Sequence, residues 1–258
     1  MKRAGTKLTL LCVSCIILGL LFAGISYAKI DLQTVAAVWL FDEGSGKVAK
    51  DASGNGNDAD ITNAKWAEGK FGKALSFEGS GFAEAKTFDN TDGKFQTHTY
   101  VLWAKQEGAG SEIPFNAGAA RVMNVHFNEA PGRLLVGWAG MPGDWIRVDG
   151  VWTPGQWHHI AVTHDGKKMF AYLDMKVVGE RATNAFPPSE AGSFLMGRFL
   201  GGGYFLRGLI DEVAVFTVAL TEVELKSIME RGLERAFGIH SVESAGKLAT
   251  AWGKIKPQ

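Results

Sequence analysis

The chain has 258 residues, 27 basic and 27 acidic side chains, 46% hydrophobic residues and 33 glycines. Charge this evenly balanced, with no basic stripe, excludes a surface built to follow a phosphate backbone, so nucleic acid is not an expected partner. Both cysteines, Cys12 and Cys15, fall in an N-terminal apolar stretch, so disulfides cannot organise the rest of the chain.

The first element reads as an export signal. Lys2, Arg3 and Lys7 precede an apolar run from Leu8 to Ile25, and Ser26-Tyr27-Ala28 offers small residues where a signal peptidase reads them. Cleavage is expected after Ala28, giving a secreted, periplasmic or extracellular protein with no membrane contact once the signal is gone. A retained anchor is the alternative, because the run approaches the ~18 residues a spanning helix needs. The Gly-, Ser- and Ala-containing exit favours cleavage. Without those three basic residues the balance is 24 basic to 27 acidic. About 230 residues remain, enough to fill one large core. The expected organisation is a signal over 1–28, one domain over 29–236 and a tail over 237–258.

Strand signals then follow one another. Val35–Phe41 is an apolar first strand, and Ala74–Phe77 with Phe82–Ala85 reads as a pair about Glu78-Gly79-Ser80-Gly81. Tyr100–Lys105 alternates with Trp103 inward, and Val122–Phe127 and Leu134–Trp138 flank a turn holding Pro131-Gly132. His158–His164, Asp165-Gly166 and Lys168–Leu173 form the clearest hairpin. Phe194–Gly197 and Gly208–Phe216 complete the series. One helix is expected, opened by the capping box Thr221-Glu222-Val223-Glu224, carrying Leu225, Ile228 and Met229, and stopped by Gly232. Many short strands and one short C-terminal helix predict an all-β, two-sheet antiparallel sandwich. The basic tail after Phe237 shows no Leu-Pro-x-Thr-Gly sorting motif and no apolar anchor run, and is expected to pack as an extra segment or to serve as a docking strand.

Two segments far apart carry the chemistry. Trp39-Leu40-Phe41-Asp42-Glu43-Gly44 and Gly208-Leu209-Ile210-Asp211-Glu212-Val213 each set an acid at the edge of an apolar strand. The two chain ends are expected to lie side by side in one sheet and to share a hard-cation site. Asp51-Ala52-Ser53-Gly54-Asn55-Gly56-Asn57 adds small oxygen-bearing side chains in a glycine-rich loop. The expected ligands are Asp42, Asp51, Asn57 and Asp211; the alternative for Asp51 is an Asx turn bonding only its own backbone. Glu43 and Glu212, next in alternating strands, are expected to face away.

Catalysis is not expected. No strand carries the Glu-x-Asp-x-x-Glu spacing, and adjacent Asp211 and Glu212 leave a strand on opposite faces, whereas a retaining glycosidase needs carboxyls ~5–5.5 Å apart on one side. His158 and His159 likewise face opposite ways, and no Gly-x-Ser-x-Gly elbow is present. Recognition chemistry concentrates in the tryptophan-dense stretch from Gly137 to Trp157. Trp145 and Trp152 are the candidate exposed rings for stacking on a sugar, with Asp144, Arg147 and Asp149 for its hydroxyls; the alternative for both is a place in the sandwich core. Trp39, Trp103 and Trp157 are expected in the core. Gly201-Gly202-Gly203-Tyr204 is a rim of the recognition surface or a plain connection.

Taken in order, Trp39-x-Phe41-Asp42-Glu43-Gly44-x-Gly46, Asp51-x-Ser53-Gly54-x-Gly56-Asn57 and Gly69-x-Phe71-Gly72-x-Ala74-Leu75-x-Phe77 resemble the opening of a laminin-G-like, concanavalin A-like jelly-roll domain. Gly155-Gln156-Trp157-His158-His159-Ile160-Ala161-Val162 resembles that family's central hairpin, and Gly208-Leu209-Ile210-Asp211-Glu212-Val213 its closing strand. The chain departs from the pattern at Asp174-Met175, where Asp-Gly is usual, and at Asp58-Ala59-Asp60, where a glycine is usual. The resemblance spans roughly residues 35–235. It implies a jelly roll with one structural calcium ion, which takes ~6–8 oxygen ligands. The function expected is non-catalytic binding of carbohydrate or a cell-surface protein. An envelope interaction or structural component and a glycoside hydrolase are the alternatives.

Overall fold

The computed structural model describes residues 30–118, 122–128, 132–139, 145–182 and 191–237; the expected signal, Asp144 and the tail from 238 onward lie outside them. Alternation of apolar and polar residues turns most of the described chain into strands. In chain order these are β1 (Val35–Trp39), β2 (Val48–Ala49), β3 (Ala59–Glu68), β4 (Lys73–Asp89), β5 (His98–Gln106), β6 (Glu112–Gly118) and β7 (Val122–Asn128). They continue as β8 (Arg133–Ala139), β9 (Trp145–Val148), β10 (His158–His164), β11 (Lys168–Leu173), β12 (Lys176–Ala182), β13 (Ala191–Met196) and β14 (Arg207–Phe216).

Hydrogen bonding follows the order β12-β11-β10-β5-β14-β4-β13-β6-β7-β8-β9, with β1 beside β14 and β3 beside β4. This ribbon folds over on itself through β4. The first part of β4 (Leu75–Glu78) pairs with β14 and its later part (Ala83–Asp89) with β13. The pair expected about Glu78–Gly81 is therefore one continuous strand. Gly79, at φ 86°, and Gly81, whose β-carbon would strike the Asn63 backbone, let it bend between layers.

The two layers enclose one apolar core. Tyr100 meets Phe115 at 5.5 Å between ring centres, and Trp39 meets Phe194 at 5.4 Å. A second apolar layer covers the outer face of β1, β5 and β14. There Val38, Leu40, Val101, Ala214 and Phe216 pack against the helix α1 (Glu222–Arg231) and the short helix α2 (Leu233–Ala236) that follows it. The capping box forms as expected, with the Thr221 hydroxyl accepting from Glu224 N and the Glu224 carboxylate from Thr221 N. Gly232, at φ 77°, ends α1. No helix among the described residues is long and apolar enough to cross a membrane.

The chain ends do meet: β1 runs antiparallel to β14, with Val38 opposite Ala214 and Trp39 opposite Val213. β14 carries a bulge against β5, since Asp211 pairs with Trp103 and Ala214 with Val101. Glu212 lies within it at φ 53°. The extra residue reverses the alternation, so Ile210, Val213 and Val215 face the main core while Ala214 and Phe216 face the helices.

Candidate functional site

The acids of the two chain ends converge on the turn that joins β3 to β4. Asp211, fully buried, accepts through Oδ2 from the backbone N–H groups of Lys70 (2.8 Å) and Phe71 (2.9 Å). Asp42 accepts through Oδ1 from Lys73 N at 2.8 Å. Both glycines of Gly69-x-x-Gly72 are required by this approach. A β-carbon at Gly69 would lie 2.6 Å from Asp211 Oδ2, and one at Gly72, where φ is 62°, would overlap Asp42 Oδ1. Phe71 then packs edge-on against Trp103, and the Lys70 ammonium sits 4.4 Å from the centre of that indole.

Charge at this knot is unbalanced. Burial pushes the Asp211 carboxyl up to about 7; the Phe71 and Lys70 amides work against that rise, and nearby Asp42 adds to it. Asp211 Oδ1 is buried and makes no hydrogen bond. Asp42 is open on its outer side, yet loss of water on its inner side raises it too, with Glu234 adding repulsion. Glu212, expected to face away, instead lies buried beside them because of the bulge and accepts from Leu233 N at the start of α2. Burial first, then the charges of Asp211, Asp42 and Glu234, hold it well above the usual carboxylate range. Adjacency of two acids had suggested opposite faces; a bulge carries no residue signature that would have shown otherwise.

Asp51 and Asn57 do not join this group. Among the described residues no strand pairs with the edge of β1 away from β14, and the loop from Asp51 to Asn57 supplies hydrogen bonds there. Asp51 Oδ1 accepts from Val38 N (3.0 Å) and Ser53 N (2.9 Å), and Oδ2 from Asn57 N (2.9 Å) and Nδ2 (3.0 Å). Asn57 Nδ2 also donates to Ala36 O, and Asn55 Nδ2 to Val35 O and Ala36 O. The four-residue ligand set is corrected accordingly. Every lone-pair direction of Asp51 faces a donor, as in the Asx alternative extended across to the strand edge. Among the described residues no three acidic, histidine or cysteine side chains group closely enough to hold a metal by themselves. A cation beside Asp42 and Asp211 would need backbone carbonyls and water to complete its shell.

The expected stacking tryptophans separate. Trp152 is a core residue at 4% exposure, stacked on Phe127 at 4.1 Å and tilted against His158 at 4.6 Å, so it offers no face to a ligand. Trp145 opens β9 half-buried, on the face away from the core shared with Arg147. Trp39 is fully buried and Trp103 nearly so, whereas Trp157, expected in the core, is half-buried. His158 and His159 do diverge: His158 Nδ1 meets Asp174 Oδ2 at 2.7 Å, while His159 lies against Trp103 and burial lowers it to about 4. Asp174 also accepts from His159 N (2.9 Å). Asp174 and Met175, at φ 49° and 66°, thus make the turn where Asp-Gly was expected, with the carboxylate held to the neighbouring strand β10.

A bent, layered antiparallel sandwich, opened and closed by two acids gripping one hairpin turn, defines a laminin-G-like jelly roll. Residues 78–226 match the laminin G model described as the concanavalin A-like lectin/glucanases superfamily, and the chain belongs to that superfamily. Among solved structures, it is similar to domain 4 of AbnA, a GH43 extracellular arabinanase from Geobacillus stearothermophilus, in complex with arabinotriose. The TM-score is 0.63 at 21% identity, covering 79% of this chain and 99% of that one. It is also similar to Trypanosoma rangeli sialidase in complex with sialic acid (TM-score 0.58, 15% identity, 83% of this chain, 36% of that one). A third is the receptor binding domain of botulinum neurotoxin C/D mosaic serotype (0.58, 8%, 78% and 52%). The chain thus spans about half of the toxin domain and about a third of the sialidase. Comparison with curated proteins gives no match.

Proposed function

We propose that this protein is an exported, non-catalytic carbohydrate-binding domain whose fold is tied by a cation at Asp42 and Asp211. The observation that carries the non-catalytic reading is the use made of the acids. Asp211 and Glu212 are buried beneath the turn and helices, where Asp211 Oδ2 and Glu212 Oε2 accept from backbone N–H groups. A glycosidase pair instead flanks an open cleft, with one carboxyl free to protonate the leaving oxygen. The carbohydrate class is supported by the arabinanase domain, an almost complete structural counterpart bound to arabinotriose, though at this identity the likeness is one of fold. A cell-surface protein partner is the alternative, in keeping with the toxin receptor-binding domain.

The orphaned oxygen of Asp211 and the mutual repulsion of Asp42 and Asp211 suit a calcium ion. When bound it would neutralise both carboxylates and hold the Gly69–Gly72 turn to the ends of β1 and β14. Asp51 and Asn57 have no part in it.

A glycan array run in calcium, paired with an assay for sugar release, tests this reading. Retention of one or more oligosaccharides without release of product is expected. Turnover that disappears in a still-folded Asp211→Asn variant would contradict it.

A further inference from the structure

The sandwich has a cleft at the end where β1 begins, and we infer that it is the sugar-binding subsite. This rests on the carbohydrate reading above. The cleft encloses about 450 Å³, inside the ~300–1,000 Å³ range of ligand pockets. It opens between the Asp51–Asn57 loop and the far end of β4 with the turn into β5. Its polar lining is Gln33, Asn55, Asn57, Thr87, Asp89, Lys94 and Thr217. Phe95 and Phe194, 1% and 2% exposed, close its base and leave almost no ring surface to a ligand.

The chemistry of this lining selects a ligand class. One cation and one anion, Lys94 and Asp89, cancel, and the remaining polar groups are carboxamides and two hydroxyls. Sugar hydroxyls donate and accept at once, so they pair with ammonium, carboxamide and carboxylate alike. A strongly anionic ligand would meet Asp89, and an apolar one would strip water from the amides without replacing it. A neutral oligosaccharide fits, with its hydroxyls on the polar walls.

Asn57 gives the cleft a fixed acceptor. It is 6% exposed, and its amide nitrogen donates to both Ala36 O (2.9 Å) and Asp51 Oδ2 (3.0 Å). Its side-chain carbonyl oxygen accepts no hydrogen bond from the described residues and is the group left for a ligand. The bonds that fasten the loop to β1 therefore also set the orientation of this side chain before any ligand arrives. Trp145 lies on another surface and is not part of the cleft.

Calorimetric titration of the full protein with arabinotriose, xylotriose, cellotriose and maltotriose tests the assignment. Thr87→Trp fills the cleft from an exposed strand position, Gln33→Ala removes one amide from its rim, and Trp145→Ala is the control. Binding of at least one trisaccharide is expected, weakened about tenfold or more by Thr87→Trp and measurably by Gln33→Ala, with melting temperatures unchanged. Trp145→Ala is expected to bind as the parent does. Binding that survives Thr87→Trp but is lost in Trp145→Ala would overturn the cleft and leave the carbohydrate reading standing. Binding of none of the four sugars by the parent protein would overturn the neutral-sugar assignment. Retention of other glycans on the array would then separate that failure from failure of the carbohydrate reading.

Discussion

Two regions flank β1 and use the same chemistry, carboxylates against backbone N–H groups, to opposite effect. In the Asp51–Asn57 loop one carboxylate meets four donors, each oxygen taking two. At the Asp42–Asp211–Glu212 knot several carboxylates meet too few donors and repel one another, and one buried oxygen is left without a partner. The loop is complete as it stands. The knot carries an excess of negative charge that a proton or a cation would relieve, so its stability should answer to pH and metal.

The sharpest way to break this contrast is Asp51→Ala, which strands four donors, one of them on β1. It is expected to cost about 4 kcal/mol in urea unfolding, with no dependence on calcium. Next comes the pH response of the knot in chelator. The folded value of Asp211, about 7, lies above its ordinary 3.8, so the folded state binds the proton more tightly. Stability from this group is therefore fully present below about pH 4 and is lost as pH rises through 7. Asp211→Asn should gain on the parent across that window by about 3 kcal/mol, read from unfolding curves at successive pH values. Gly72→Ala should cost about 2 kcal/mol, because it combines positive φ with a β-carbon on Asp42, whereas Gly56→Ala, with open space around it, should cost less despite its own positive φ. The smallest effect is expected for Glu43→Gln. Glu43 bonds Lys50 N and is raised by burial first, then by Asp42 and Asp58. Removing its charge should shift stability by under about 1 kcal/mol.

Much of the frame was legible because it rests on local rules. The β10–β11 hairpin, the capping box at Thr221 and the Gly232 stop follow from turn and cap chemistry within a few residues. The meeting of β1 with β14 was readable from two matched acid-edged strands. What escaped depends on neighbours distant in sequence. Gly79 and Gly81 read as a turn, yet they bend one long strand between layers. β12, with a largely exposed Lys176–Ala182 run, lacks the apolar alternation that marks a strand and is held by pairing to β11. Trp152 and Trp145 look alike in sequence; only packing against Phe127 and His158 buries the first. Glu212 was misplaced for want of the bulge, and Asp51 because a loop rich in oxygen ligands and a loop that staples a bare strand edge use the same residues.

Thermal unfolding of the parent and Asp211→Asn proteins, each in excess calcium and in chelator at pH 7.5, tests the cation knot most directly. A ligand at ~100 times its dissociation constant that binds only the folded state adds ~2.7 kcal/mol. The parent should melt several degrees higher in calcium, and Asp211→Asn should melt alike in both. Equal melting of the parent in calcium and chelator would contradict a cation at Asp42 and Asp211.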